Sequence, residues 1–275
     1  MFYPPSAYEE FAPSPDLVPY VKSFAFMEYD LPESVTVTNH FLPFGHPYLV
    51  ISYRGQMWND NSPFRRSNFS NCHIAGQLLQ HYYHYHSGDL GTVAIYFQPN
   101  GFNQLFGLPM TELTQNNMGV EEFFGSDGTR LISEISSMES TLQRILAFED
   151  MLRNHIKRKQ KKKDSSHWAI QLIQENPRQS IDEVCTYLKV SSRHLRRKFK
   201  EKVGLGPKYY PRICRFHRAL QLNYLYPQLD LQDLSFRCGY YDISHFGQDF
   251  KHFSGKTPYD YLRLNNRHLE VGGFL

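Results

Sequence analysis

The chain has 275 residues, 41% of them apolar and 15% aromatic, with a formal charge of +3 and apolar runs of only a few residues. This composition excludes wholesale disorder, a fibrous repeat and a bilayer-spanning helix, and the length suits about two domains with cores of their own. The charge is unevenly split: residues 1–156 carry −9 and residues 157–275 carry +12, an acidic half joined to a basic half, which points to two jobs, one of them on a polyanion.

The N-terminus, Met1-Phe2-Tyr3-Pro4-Pro5, lacks a basic stretch followed by an apolar one, so no secretion signal is expected. Residues 1 to about 100 read mostly as strand. Tyr48–Tyr53 and Thr92–Phe97 are short β-branched and aromatic runs, and turn residues recur at Gly45-His46-Pro47, Arg54-Gly55, Ser87-Gly88-Asp89 and Pro99-Asn100-Gly101. Many short strands with regular turns predict a small antiparallel barrel or sandwich. Over 130–156 the period changes: Leu131, Ile135, Met138, Leu142, Ile145 and Phe148 with Met151 and Leu152 form a helical stripe. Such a stripe must bury against its own strands or against a second copy of the chain.

Lys157–Lys163 is a block of like charge that repels itself, and 157–165 reads as a basic linker. After it the chain reads as all helix. Ser166 can cap a helix with Trp168, Leu172 and Ile173 on one face, ending at Asn176-Pro177. Ser180-x-x-Glu183 is a capping box that opens a second helix through Val184, Cys185 and Leu188. Ser191 caps a third, with Leu195 and Phe199 inward and Arg193, Arg196, Arg197 and Lys200 outward.

This half repeats itself. Ser191, Leu195, Phe199, Lys200, Gly204, Pro207 and Tyr210 recur 51 positions later as Asp242, Phe246, Phe250, Lys251, Gly255, Pro258 and Tyr261. Upstream the offset is 50, from Ser180/Asp230 through Ile181/Leu231, Val184/Leu234 and Cys185/Ser235 to Leu188/Cys238. The one-residue insertion falls in a turn, as expected of two helix-turn-helix units, at 180–201 and 230–253. Gly204 and Gly255 can end their helices in the left-handed conformation, and Pro207 and Pro258 then stand where a next helix starts. Residues 212–226 read as a helix joining the units.

At these residues the chain resembles a known family. Arg215-x-x-x-Ala219, Gly239-Tyr240-Tyr241-Asp242-x-Ser244-His245-Phe246, Phe250-Lys251-x-Phe253-x-Gly255-Lys256-Thr257-Pro258 and Tyr261-x-Arg263 look like the signature of the AraC/XylS transcription regulators, over about 165–263. Ser191-x-Arg193-His194-Leu195-x-Arg197-x-Phe199-Lys200 and Gly204-Leu205-Gly206-Pro207-Lys208 are similar too, and Pro43, Gly76 and Phe97-x-Pro99-x-Gly101 more loosely resemble the effector or dimerisation domains that precede this module.

The resemblance implies a β-rich, barrel-like sensory domain over 1–156, an all-α DNA-binding domain over 166–265 and a tail over 266–275. It implies double-stranded DNA as partner, sequence-specific reading in the cytoplasm, and control by a small-molecule effector or partner at the first domain. A homodimer and, in an activator, RNA polymerase are further implied partners. The DNA-binding residues it implies are Ser191, Ser192, Arg193, His194, Arg196, Arg197 and Lys200 on the first unit. On the second they are Tyr241, Asp242, Ile243, Ser244, His245, Gln248 and Lys251. Of these, Arg193, Arg196, Arg197, Ile243, Ser244 and Gln248 would face bases, and Ser191, Lys200, Tyr241, His245 and Lys251 phosphates. Many relatives carry Arg where Gln248 stands, so the second helix would read adenine or add less to affinity.

Other residues invite other chemistry. His73, His81, His84 and His86 with Asp89 raise a metal-binding, cupin-like barrel enzyme fused to the DNA-binding half, but the stretch has no Glu and Asp89 lies in a turn, so no metal is expected. Tyr53, Trp58, Tyr82, Tyr83, Tyr85, Tyr96 and Phe97 could line a pocket or simply form a core. No Gly-rich phosphate loop, nucleophile elbow or Ser/His/Asp arrangement appears, so neither catalysis nor a cofactor is expected. The four cysteines, at 72, 185, 214 and 238, include no Cys-x-x-Cys pair and read as free thiols of a reducing cytoplasm. An architectural protein that binds DNA without preference is the remaining alternative.

Overall fold

A computed structural model describes residues 4–58, 71–156 and 164–264. The lysine-rich block at 157–163 and the tail expected from 266 lie outside the described residues. The strand-rich half forms two antiparallel sheets. The larger joins β1 (Ala7–Phe11), β2 (Val21–Tyr29), β4 (Tyr48–Arg54), β6 (Cys72–Ala75), β8 (Leu90–Phe97) and β9 (Asn117–Gly119) in the order β1-β2-β8-β4-β6-β9. The smaller joins β3 (Thr36–Phe41), β5 (Met57–Trp58) and β7 (Tyr82–Ser87) in the order β3-β7-β5. Among the described residues no strand pairing joins the two, so the barrel-or-sandwich alternative resolves to two facing sheets. The Tyr48 and Tyr82 hydroxyls bridge them at 2.9 Å, and Tyr29 Oη donates to Asn39 Oδ1 across the same gap.

The central strands of the larger sheet are buried on both faces, and their period of two sorts their side chains. Leu49 and Ile51 of β4 and Val93, Ile95 and Phe97 of β8 pack with the helices that follow. Tyr48 and Val50, with Ala94 and Tyr96, face the smaller sheet. The helices are α1 (Gly101–Phe106) and, after a 3-10 turn at Met110–Glu112, α2 (Val120–Phe124), α3 (Ser126–Ser137) and α4 (Thr141–Ile156). The expected stripe is therefore split between α3 and α4, broken where Met138 turns to extended backbone. Leu131, Ile135, Ile145, Phe148 and Leu152 bury against the chain's own sheet, while Leu142, after the break, is 62% exposed.

The second half holds α5 (Ser165–Glu175), α6 (Ile181–Leu188), α7 (Ser192–Val203), α8 (Tyr210–Leu225), α9 (Leu231–Cys238), α10 (Ile243–Ser254) and α11 (Pro258–Leu264). Asp164, not Ser166, caps α5, its carboxylate accepting from Ser166 N. The buried face of that helix is Ala169, Ile170 and Ile173, with Trp168 largely exposed. Both bonds of the Ser180 capping box form, Glu183 N donating to Ser180 Oγ and Ser180 N to Glu183 Oε2. Pro258 opens α11 as expected, whereas Pro207 lies three residues before α8, whose first turn holds Pro211.

The two halves meet along one seam. Tyr209 Oη donates to Leu79 O, His217 Nε2 lies 2.6 Å from Pro43 O, and Thr114 Oγ1 donates to Gly204 O. The duplicated glycines both sit on it. Gly204 (φ +86°) leaves no room for a Cβ, which would stand 2.4 Å from Thr114 Oγ1 and 3.0 Å from Met110 O. A Cβ on Gly255 (φ +72°) would stand 2.3 Å from the His81 ring. The C-terminal ends of both third helices of the repeat thus abut the sheet domain.

Two variants test this packing. Phe148→Ala, removing a fully buried ring stacked 6.4 Å from Phe24, is expected to cost about 3–5 kcal/mol in urea unfolding with the slope unchanged. Gly255→Ala combines a left-handed backbone with the clash on His81 and is expected to lose about 1–3 kcal/mol from the backbone alone. Gly206→Ala, with nothing within 4 Å of the added carbon, serves as the matched control and should stay near neutral.

Candidate nucleic-acid interface

Two helices present free N-terminal faces. Ser191 Oγ accepts from His194 N at the start of α7, and the Asp242 carboxylate accepts from His245 N at the start of α10. Each cap satisfies an orphan amide and fixes the angle at which the helix leaves its turn. The preceding turns take left-handed backbone at Lys189 (φ +54°) and Gly239 (φ +94°), so the inserted residue of the second unit does not change the turn's sense. Behind each face lie the paired core residues of the repeat, Leu195 and Phe199 in one unit and Phe246 and Phe250 in the other, all fully buried.

On the first unit Arg193, His194, Arg196 and Arg197 are exposed on the outer side of α7, with Ser192 half-buried in the first turn. Among the described residues Arg197 has only a long ion pair, 3.9 Å to Glu201, so its guanidinium can take another partner. On the second unit Tyr241 is 97% exposed in the turn, and Ile243, Ser244 and Gln248 are exposed along α10. Asp242 is committed to its cap. His245 is half-exposed, its ring edge-on to Tyr240 and its Nε2 3.8 Å from Asp249 Oδ2. Lys200 and Lys251 are exposed in the last turns, about 13 Å along the axis from the caps and toward the seam, with Lys200 one turn beyond Arg196 and Arg197. The pattern had no signal for Asp249, which is 1% exposed within α10.

A second site lies between the sheets. A cavity of about 40 Å³ is lined by Tyr8, Ala25, Met27, Tyr48, Val50, His73, Thr92, Ala94 and Tyr96 on one side and Phe41, Met57, Tyr82 and His84 on the other. Of the aromatics expected to line a pocket, Tyr82 and Tyr96 do. Tyr53 lies on the opposite face under Arg144, Phe97 packs on Phe102, and Trp58 stacks on Tyr85. Strand parity explains the missed half: β7 alternates buried and half-buried from Tyr82 to Ser87, sending Tyr82, His84 and His86 inward and Tyr83 and Tyr85 outward. Among the described residues no three His, Cys, Asp or Glu side chains gather as metal ligands. Burial raises the thiol pKa of each of the four cysteines, all free; Cys72 accordingly has no reactive thiolate.

Residues 184–264 match a family model described as "Helix-turn-helix domain", and residues 9–119 one described as "Domain of unknown function (DUF6597)". An uncharacterized HTH-type transcriptional regulator of Staphylococcus aureus (strain MSSA476) is 30% identical over 82 residues, 30% of this chain and 11% of the relative, so the match spans about a tenth of that protein's length. The structure of ToxT from Vibrio cholerae shares the fold, with TM-score 0.50 and 14% identity over 88% of this chain and 99% of that one. A DNA-binding transcriptional dual regulator from Escherichia coli K-12 matches 38% of this chain and 99% of its own at 23% identity and TM-score 0.34. Residues 184–264 of this chain are a helix-turn-helix domain.

Proposed function

We propose that the protein is a transcription regulator that reads two successive major-groove segments with α7 and α10 and is controlled by a small molecule held between its sheets. The observation that carries this is the duplication itself: two capped helices with free polar faces, joined by the 16-residue α8 of about 24 Å. That span suits two recognition elements on one face of a duplex about one turn apart. In this reading Arg193, Arg196 and Arg197 meet base edges from the first helix, where arginine takes guanine O6 and N7 together. Ile243, Ser244 and Gln248 meet them from the second. Ser191, Tyr241 and His245 take phosphates, with Lys200 and Lys251 at the far ends of the same helices. The family pattern adds a second copy of the chain and, in an activator, RNA polymerase as partners. No helix among the described residues is long and apolar enough to cross a membrane, and a cytoplasmic location belongs to the same reading.

The chemistry of the cavity wall supports one class of effector. None of its lining residues is Lys, Arg, Asp or Glu. Burial raises the pKa of the phenols of Tyr48, Tyr82 and Tyr96 and lowers that of the His84 imidazole to about 3, with His86 and His73 adding to the effect, so these groups are neutral near pH 7. Among the described residues His84 Nε2 is buried with no hydrogen-bond partner. A small neutral molecule that hydrogen-bonds His84 suits this wall better than a carboxylate or an amine. The wall residues Phe41, Tyr48 and Tyr82 belong to the same apolar cluster as Phe216, Phe250 and Phe253 of the DNA-binding half. A ligand that changes their packing therefore has a direct route to α10.

Selection of random duplexes by the purified chain at about 150 mM salt, where phosphate contacts alone bind weakly, tests the reading. Two short blocks with centres about 10 base pairs apart are expected. No sequence preference, with a steep salt dependence, would instead establish an architectural role. Within the selected site Arg197→Ala should cost about 1–3 kcal/mol and relax the preference at one base pair; an equal loss on every sequence would reassign Arg197 to a phosphate. Folding stability should fall with acid. His86 is held down to about 4 by burial and His84 to about 3, while the unfolded chain protonates near the ordinary 6.5. Protons therefore favour the unfolded chain as pH drops from about 6.5 to 4, at up to about 1.4 kcal/mol per pH unit for each ring. Urea midpoints from pH 7 to 4.5, flattened in His84→Phe, would show it.

A further inference from the structure

The duplication exposes one position where the two units differ in chemistry. At the offset of 51, Asp249 of α10 corresponds to Lys198 of α7. Lys198 is half-buried and pairs with Glu201 of its own helix. Asp249 is 1% exposed and turned toward α8, where its Oδ1 accepts from both Arg212 Nε (2.9 Å) and Arg212 Nη2 (2.7 Å). Its Oδ2 is buried without a hydrogen bond, 3.9 Å from Arg215 Nη2 and 3.8 Å from His245 Nε2.

We propose that Asp249 is the positioning residue of the second recognition helix, setting its aim through Arg212, Arg215 and His245; this rests on the regulator reading above. Each partner anchors the carboxylate to a different body. Arg212 lies over the rings of Tyr209 and Phe253, and Tyr209 Oη donates to Leu79 O of the sheet domain. Arg215 Nη1 donates to Pro177 O, on the turn between α5 and α6 of the first unit. His245 stands on the DNA-facing side of α10 itself. One carboxylate inside the recognition helix is thus tied to the connecting helix and, through two arginines, to the sheet domain and to the first unit. A buried charge is costly to keep, and apolar residues of similar volume would fill this space with equal or greater stability. What apolar packing does not supply is direction: a charged acceptor held by a guanidinium fixes the rotation of α10 about its axis, which decides whether Ser244 and Gln248 face base edges.

The test uses the full chain with two variants, because Asp249→Asn leaves Arg212 buried against a neutral partner and can lower stability. The second, Arg212→Met with Asp249→Leu, removes the whole pair and keeps the packing. Binding is measured to duplexes carrying single base changes in each block of the selected site. Both variants are expected to keep the first block's discrimination, about 5- to 150-fold per base pair, and to drop the second block's to within about twofold. Hydrogen exchange of the free protein is expected to quicken at least tenfold over 243–254 and stay unchanged over 192–203. If the apolar pair discriminates at both blocks as the native chain does, the carboxylate only fills space and the proposal is wrong. It is equally wrong if discrimination falls alike at both blocks. Should the native chain select no two-block site, the regulator reading fails, and the exchange experiment alone decides whether Asp249 holds α10 in place.

Discussion

A helix-turn-helix unit of some twenty residues has too little interior to hold itself together. In this chain two such units share their interior with a third body. One apolar cluster runs from Tyr48 and Tyr82 between the sheets, through Phe44 at the seam, to Phe216, Phe250 and Phe253 in the second unit. At its edges the seam is fastened by polar bonds that need both halves at once, Tyr209 to Leu79 and Thr114 to Gly204. The glycines that end α7 and α10 are where this constraint is tightest, because each gives up its side chain to let a helix end touch the sheet domain. The same residue type does two jobs there: it turns the backbone left-handed and it lets the two halves close.

Charge is arranged around that interior according to whether water reaches it. The exposed arginines of α7 keep loose partners or none of their own sign's opposite at close range, whereas the buried Asp249 is held by two guanidinium nitrogens. The cavity between the sheets is the opposite extreme, walled by phenols and imidazoles that burial keeps uncharged.

Much of this was legible in the sequence because it is local or repeated. The Ser180 capping box, the Ser191 and Asp242 caps, the left-handed Gly204 and Gly255 and the inward Leu195, Phe199, Phe246 and Phe250 all follow from spacings of three to five residues, checked against a second copy. The readings that failed are those where several residues compete or where parity decides. Asp164 took the cap of α5 from Ser166 because its carboxylate accepts from Ser166 N itself and so starts the helix two residues earlier. Tyr53 and Phe97 are as aromatic as Tyr48 and Tyr96, but one residue of register sends a side chain to the other face of the sheet. Contacts between distant residues left no mark at all. Nothing around Gly255 names His81, and nothing around Asp249 names Arg212, because each partner comes from another element whose placement only the folded chain fixes.

Under the proposed reading, the fastening of both units to one body also bears on the DNA between the two blocks. A protein whose two readers were joined by a loose tether could settle on a straight duplex wherever the blocks happened to fall. Here α8 joins the two units and the ends of both recognition helices abut the sheet domain, so a mismatch between their spacing and the repeat of the double helix would fall largely on the nucleic acid. Base pairs that no side chain touches then enter the binding free energy through their stiffness, at about 1–6 kcal/mol for bends of about 40–90°. Pliable steps between the blocks become, in effect, part of the recognised sequence.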